Sequence, residues 1–288
     1  MNNMKIYRAN KVPFAVICHG EDSSLPPYPL LTNNNGTEDI YSPSPLHGRS
    51  FVVGRHDDGR YVVTKGNGLC YSQHTFLYTP EMPTDVWGLL IKDDAMRDFN
   101  CCNDVKTLGI KTNTMEYVLE LDCPIHIEKT GADIRPYLLQ YSVECPYRIC
   151  DAAFMDKGMI DDEVAKWQAY NTSEWKQNHQ IAADVLVRNL RIMHDNDVLH
   201  NAIHEQNYTW ALELLDFELC RTPQHPYSSI DYERHVPDLF DREIIFTYII
   251  INYIAGVLHE DINFGIIDSI FEKNGIKISK YSINQFKK

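Results

Sequence analysis

Two runs of β-branched and aromatic residues, Ser50-Phe-Val-Val-Gly54 and Arg60-Tyr-Val-Val-Thr-Lys65, flank Asp57-Asp58-Gly59. Strand formers joined by a short acidic turn predict a β-hairpin, because Gly tolerates the positive φ of a tight turn. The pattern then changes to helical spacing over Asp93–Leu108, where Ala95, Met96, Phe99, Val105 and Leu108 share one side and Gly109 supplies a stop. Met115–Leu121 and Leu138–Val143 read as further strands. Beyond Cys150 the period is helical again: Trp175, Ala182, Val185, Leu186, Leu190 and Met193 predict a helix over Trp175–Met193. Ile244–Leu258 is a longer apolar helix, and Ile266–Phe271 a last one. Residues 1–49, rich in Pro, Ser and Asn, read as a loop-rich lead-in with one strand at Pro13–Cys18.

Strands with one helix, followed by helices, predict an α+β protein of two lobes. The reading places a strand-rich N-terminal lobe at 1–147 and a helical C-terminal lobe at 148–288, with the break between Val143 and Asp151. The chain has 288 residues, 44% of them hydrophobic, enough for two cores. Its 27 basic against 40 acidic residues give a net charge of −13, which disfavours nucleic acid and anionic membrane as partners. The apolar run at Ile244–Leu258 is shorter than a membrane span and is interrupted by Asn252, so it reads as a buried helix. The eight cysteines include no C-x-x-C, and the first residues lack a signal-peptide core. Both readings point to reduced thiols and a cytoplasmic protein.

Four residues stand in an order that suits nucleotide chemistry. Lys65 ends a strand, and Asp98 lies on the first helix after it. Asn207 closes a loop that begins at His200, and Asp216 follows a short apolar stretch. A Lys among phosphates is oriented best by a carboxylate, which assigns Lys65 and Asp98. Mg²⁺ takes oxygen ligands, which assigns Asn207 and Asp216 as metal ligands. The four are expected to converge on one site. Histidines 194, 200, 204 and 225 with Cys220 lack any zinc-binding spacing and are set aside. Trp167, Trp175, Tyr208 and Trp210 read as core rather than a ligand platform.

Three segments carry a family resemblance. Lys65-Gly66-Asn67-Gly68 with Tyr71-Ser72 resembles the Lys-Gly-x-Gly segment and following Tyr-Ser of the selenoprotein O family. Gly88–Phe99, running on to Leu108-Gly109-Ile110-Lys111-Thr112, resembles that family's strand, helix and Leu-Gly-Ile-Pro-Thr sequence. His200–Asp216 is similar to its His-initiated loop and distal Asp, with the Asn-to-Asp spacing unchanged. The resemblance covers roughly residues 50–220. It implies a protein-kinase-like fold that binds ATP with Mg²⁺ in an inverted pose and transfers AMP to hydroxyls of a protein substrate. Carried over, Lys65 and Arg148 would hold phosphates, Asp98 would orient Lys65, and Asn207 and Asp216 would hold the metal.

The departures from that pattern concern activity. The helix acid is Asp98 rather than Glu, and the segment between it and Lys65 is lengthened through Tyr78–Pro83. Tyr141 stands for the first phosphate arginine, and Gln206 for the base that precedes the metal-binding Asn. Ala202 occupies the place where ordinary protein kinases carry their base, and the chain ends Gln285-Phe-Lys-Lys288 without a redox motif. Two functions follow: a transferase acting by adenylylation or phosphorylation, or a catalytically inactive pseudokinase serving as a nucleotide-binding or protein-interaction scaffold. A small-molecule kinase is a third, more general reading.

Overall fold

The computed structural model describes residues 4–20, 25–46, 49–68, 88–127, 131–226 and 239–278. Tyr71, Ser72, the segment Tyr78–Pro83, Cys70 and the terminal Gln285–Lys288 lie outside them. The chain forms two compact units, Met1–Phe99 with Asn113–Tyr147, and Asn100–Thr112 with Arg148–Lys288.

The first unit is built on one antiparallel sheet. Its strands are β1 (Lys5–Lys11), β2 (Phe14–His19), β3 (Leu30–Thr32), β4 (Glu38–Ser42), β5 (Ser50–Arg55), β6 (Tyr61–Lys65), β7 (Thr114–Leu121) and β10 (Tyr137–Val143), in the order β2-β7-β10-β6-β5-β4-β1-β3. The hairpin read from sequence is β5–β6, with Val52 opposite Val63 and Gly59 in the turn at φ +95°. β10 lies between β7 and β6 and is buried at every residue, as befits a strand covered on both faces. A separate hairpin pairs β8 (Ile125–Ile127) with β9 (Ala132–Ile134), which the sequence reading did not contain.

The lead-in departs from expectation. Instead of loop with one strand, residues 4–46 supply β1, β2, β3 and β4, half of the large sheet. β1 reads Lys-Ile-Tyr-Arg-Ala-Asn-Lys and buries only Ala9; β4 reads Glu-Asp-Ile-Tyr-Ser and buries Ile40 and Ser42. So few inward apolar positions leave no visible alternation. Ala9, Leu30, Ile40 and Phe51 nevertheless close a common cluster, and tertiary packing decides the conformation. A buried polar chain ties the Pro-rich segment to the sheet. His56 Nε2 meets Glu116 Oε1 at 2.6 Å, Gln140 Nε2 donates to Glu116 Oε2 at 2.9 Å, and Gln140 Oε1 accepts from the Tyr28 N–H at 2.8 Å.

Helix α1 (Lys92–Thr107) begins in the first unit, and its residues from Asn100 on belong to the second. Ala95, Phe99 and Val105 are buried as their spacing predicts, and Gly109 takes φ +80° just beyond the end. Cys101 and Cys102 are both buried, and the seven cysteines among the described residues are all free thiols.

The second unit is helical: α2 (Lys157–Lys166), α3 (Asn178–Asp195), α4 (Leu239–Leu258) and α5 (Phe264–Lys273), with 3-10 turns at Ile149–Phe154 and Trp167–Tyr170. α3 starts three residues later than its periodicity suggested. Asn171 Oδ1 accepts the Trp175 N–H at 2.7 Å and Glu174 sits at φ +56°, so a turn occupies the expected first residues. Trp167 and Trp210 stack at 5.8 Å and are fully buried, so they are core. Among the described residues no helix is long and apolar enough to cross a membrane.

Glu260 closes the start of α3. It accepts the Asn178 and His179 N–H groups at 2.9 and 2.8 Å and meets His179 Nδ1 at 2.7 Å. Partial burial pushes its carboxyl up, but these hydrogen bonds outweigh burial and hold it below the usual value. A depressed carboxyl stabilises fully above its unfolded value, about 4.3. That contribution is lost as pH falls through the lower folded value. Glu260→Gln should therefore lower the melting temperature at pH 7, and the gap to wild type should close below about pH 4. Melts between pH 3 and 7 check this; a gap constant across the range would show that ionisation of Glu260 is immaterial.

Candidate functional site

Lys65 is the last residue of β6, held between Leu139 of β10 and Ser50 of β5. Its Nζ donates to Asp98 Oδ2 at 2.7 Å, and both side chains are 2% exposed. A buried ion pair recovers little beyond the desolvation of its two charges, so stability alone does not account for it. Helix α1 supplies the acid from its second turn, with Ala95 and Phe99 buried beside it.

The Gly-Asn-Gly that follows is a tight, closed turn. Gly66 lies at φ +99°, and a Cβ there would meet Tyr137 O at 2.7 Å; Gly68 lies at φ +87°, and a Cβ would meet Thr32 Oγ1 at 2.9 Å. Asn67 between them is fully buried. Its Nδ2 donates to Leu30 O at 2.6 Å, and its carbonyl accepts from Thr32 N at 2.9 Å. The motif thus fixes the chain leaving Lys65 and fastens β3 to it. Tyr141 sits in the sheet opposite Val63 and is 5% exposed, a core position.

In the second unit Asn207 and Asp216 bracket a tight hairpin. Tyr208 pairs with Leu214, the Thr209 N–H donates to Glu213 O at 3.0 Å, and the Leu215 N–H donates to Asn207 O at 2.9 Å. The backbone pairing sets residue 207 opposite 215, so the two candidate ligands emerge from the same open end. Thr209 Oγ1 folds the turn by accepting from Ala211 N and Glu213 N, each at 3.2 Å. Asn207 Nδ2 donates to Ala202 O at 3.0 Å, which directs the amide and makes its Oδ1 the candidate ligand atom. Oxygen donors of this kind fit a hard divalent cation. Asp216 is at φ +66°, Asn201 at +64° and Leu212 at +58°. Non-glycine residues in that region cost on the order of 1–3 kcal/mol each, and such strain gathers at functional sites.

Buried partners hold the loop. His200 Nε2 donates to Leu215 O at 2.9 Å, and its ring lies edge-on to Phe217 at 4.9 Å. Burial pushes the His200 pKa down, so the ring stays neutral. Glu243, the residue before the Ile244 apolar run, accepts the Asn201 N–H at 2.6 Å and meets His194 Nε2 at 2.8 Å. Sequence reading missed Glu243; its one signal was a carboxylate at the head of an apolar stretch. Arg148 Nη1 donates to Gln206 O at 2.9 Å, so this expected phosphate ligand also clamps the loop. His225 pairs with Asp104 at 2.8 Å, so the histidines set aside as a zinc site are spread over separate partners.

Lys65 and Asp98 are thus brought together within the first unit, and Arg148, Asn207 and Asp216 are grouped within the second. No family model matches the chain, and no curated protein matches it. Among solved structures, the chain is similar to the kinase domain of a Toxoplasma gondii rhoptry antigen, at 10% identity and a TM-score of 0.38, over 85% of this chain and 77% of that one. A likeness at that score carries no argument, so the functional reading rests on the chain's own geometry.

The Lys65–Asp98 pair is open to direct test. Lys65→Met leaves a buried carboxylate without its cation and should destabilise by about 3–5 kcal/mol, whereas Lys65→Met with Asp98→Leu should return close to wild type. Urea unfolding measures both, and a double variant as unstable as the single would show that the pair itself stabilises the fold.

Proposed function

We propose that the chain is a nucleotide-binding protein of the protein-kinase-like class, an ATP- and Mg²⁺-dependent transferase. The observation that carries this reading is the buried Lys65–Asp98 ion pair at the end of a central strand. A lysine buried against a carboxylate is poised to exchange part of that partnership for phosphate oxygens. Lys65 would hold phosphates and Asp98 would orient it; Asn207 Oδ1 and the Asp216 carboxylate would hold Mg²⁺, and Arg148 would add a second cation. The metal would neutralise phosphate charge. Selenoprotein-O-like transfer of AMP to protein hydroxyls is the form the resemblance implies; phosphate transfer is its counterpart with ATP in the ordinary pose.

Neither of the two loop positions where a base is expected carries one. Gln206 carries an amide, which cannot take a proton at neutral pH, and Ala202 has no functional group. His204 lowers its pKa through burial, and its Nδ1 accepts the Gln206 N–H at 3.2 Å. Its Nε2 faces the Asn207 amide at 3.5 Å. The amide at position 206 and the methyl at position 202 favour a second reading, a pseudokinase that binds nucleotide as a scaffold.

Transfer to hydroxyls should be slow, and Gln206→Asp should raise it by up to about 10²–10⁴-fold, the usual worth of general-base assistance. ATP labelled at the α- or γ-phosphate separates AMP from phosphate transfer. Mg-ATP should raise the melting temperature by mass action, and Asp216→Ala should remove the metal-dependent part. An unchanged melt at millimolar Mg-ATP would overturn nucleotide binding; binding without either label attaching, in wild type and Gln206→Asp, would favour the scaffold.

A further inference from the structure

Helix α4 departs from the pattern of its neighbours. Its inner side carries Ile244, Tyr248, Ile251 and Ile254, all buried, as a core-facing stripe should. Its outer side is apolar as well: Ile245, Phe246, Ile249, Tyr253, Gly256 and Val257 are half-buried or exposed. No Asp, Glu, Lys or Arg occurs between Glu243 and Glu260. By contrast α3 turns Arg191 and Asp195 to solvent, and α5 turns out Glu272 and Lys273. A helix apolar all round belongs inside a core. Asp151 and Glu205 act on the Tyr253 hydroxyl from one flank, and their charge opposes a second acidic molecule there. Attraction therefore has to come from the apolar face and from the ends of the helix.

That face complements itself in size and in charge. Phe246, Ile249, Tyr253 and Gly256 follow one another at intervals of three, four and three residues, the seam spacing of paired helices. Antiparallel pairing about a two-fold axis at the level of Ile251 sets Ile249 against the partner's Tyr253 and Phe246 against the partner's Gly256. Gly256 is exposed, and a Cβ there would meet nothing within 4 Å. Its own fold therefore does not require glycine, which weakens a helix interior. A ring from a second helix gives that gap an occupant. Past the seam, the same pairing brings Arg242 towards the partner's Asp261, just beyond the helix end. Both residues are exposed, and the Arg242 guanidinium lies over the Phe246 ring at 5.3 Å, directed along this face.

We propose that this face is the contact of a homodimer, in which two copies of the chain pack α4 against α4 in antiparallel. The contact is isologous: every pairing occurs twice about the axis, and one patch serves both copies. A 20-residue helix is about 30 Å long, enough for the seam and both charged ends. The net charge of −13 keeps most faces of two copies apart, and the uncharged stretch of α4 is where they can meet. The dimer is independent of the proposed nucleotide site.

Sedimentation equilibrium of the full chain, without nucleotide, measures the contact. The chain should pass from monomer to dimer as its concentration rises towards about 1 mM. Gly256→Leu should fold at least as well as wild type, because helix propensity rises and the side chain enters open space. It should nevertheless weaken the dimer by about tenfold or more, because it collides with the partner's Phe246 at two places in each dimer. Arg242→Glu and Asp261→Arg should each weaken association by about fivefold, the usual worth of an exposed pair counted twice. Combined, they should restore it, since the pair is then reversed rather than removed. Circular dichroism melts of each variant establish that it is folded. A chain that stays monomeric throughout overturns the proposal, and so does a dimer indifferent to Gly256→Leu, which would place the contact on another surface. Charge reversals whose effects add instead of cancelling overturn the antiparallel register.

Discussion

The desolvation of Lys65 and Asp98 is the constraint around which the first unit is arranged. Two charges at 2% exposure need each other at 2.7 Å, and that fixes the register of α1 against the end of β6. The same requirement explains the turn beyond Lys65. Gly66 and Gly68 take conformations that side chains would obstruct, and Asn67 fastens β3 across the turn, so the chain leaves the lysine in one defined direction. A solvated lysine at a strand end would need none of these devices.

The second unit meets a different constraint, which is to hold several strained residues in a loop that carries the candidate oxygen ligands. His200 and Glu243 do this from opposite sides, the ring through Leu215 O and the carboxylate through the Asn201 N–H. Both partners contact backbone, so the loop's shape is set independently of its exposed side chains.

Much of this was legible in the residues. The β5–β6 hairpin, α1, β7, β10 and the apolar α4 have strong periodicity or turn chemistry, and the structure contains each of them. The Lys65–Asp98 pairing was legible from order and type. The first strands were not, because β1, β3 and β4 bury one or two residues apiece and show no alternation. Trp175 looked helical because it lies in phase with α3, and only the Asn171 turn excludes it. The loop's supports escaped notice for another reason: Glu243 acts on a backbone N–H 42 residues earlier in the chain, and local pattern carries no trace of such a contact.

The central proposal is that Lys65 holds the phosphates of a nucleotide whose metal Asp216 would bind. ATP bearing an acyl group on its terminal phosphate transfers that group to a lysine held against the phosphates, and mass spectrometry locates the product. The account predicts acylation of Lys65 that needs Mg²⁺, is blocked by excess ATP, and falls at least about tenfold in Asp216→Asn, the loss expected when one charged contact is removed. Labelling of Lys65 that is indifferent to Asp216→Asn, or a Lys65 that stays unlabelled while other lysines react, would contradict it.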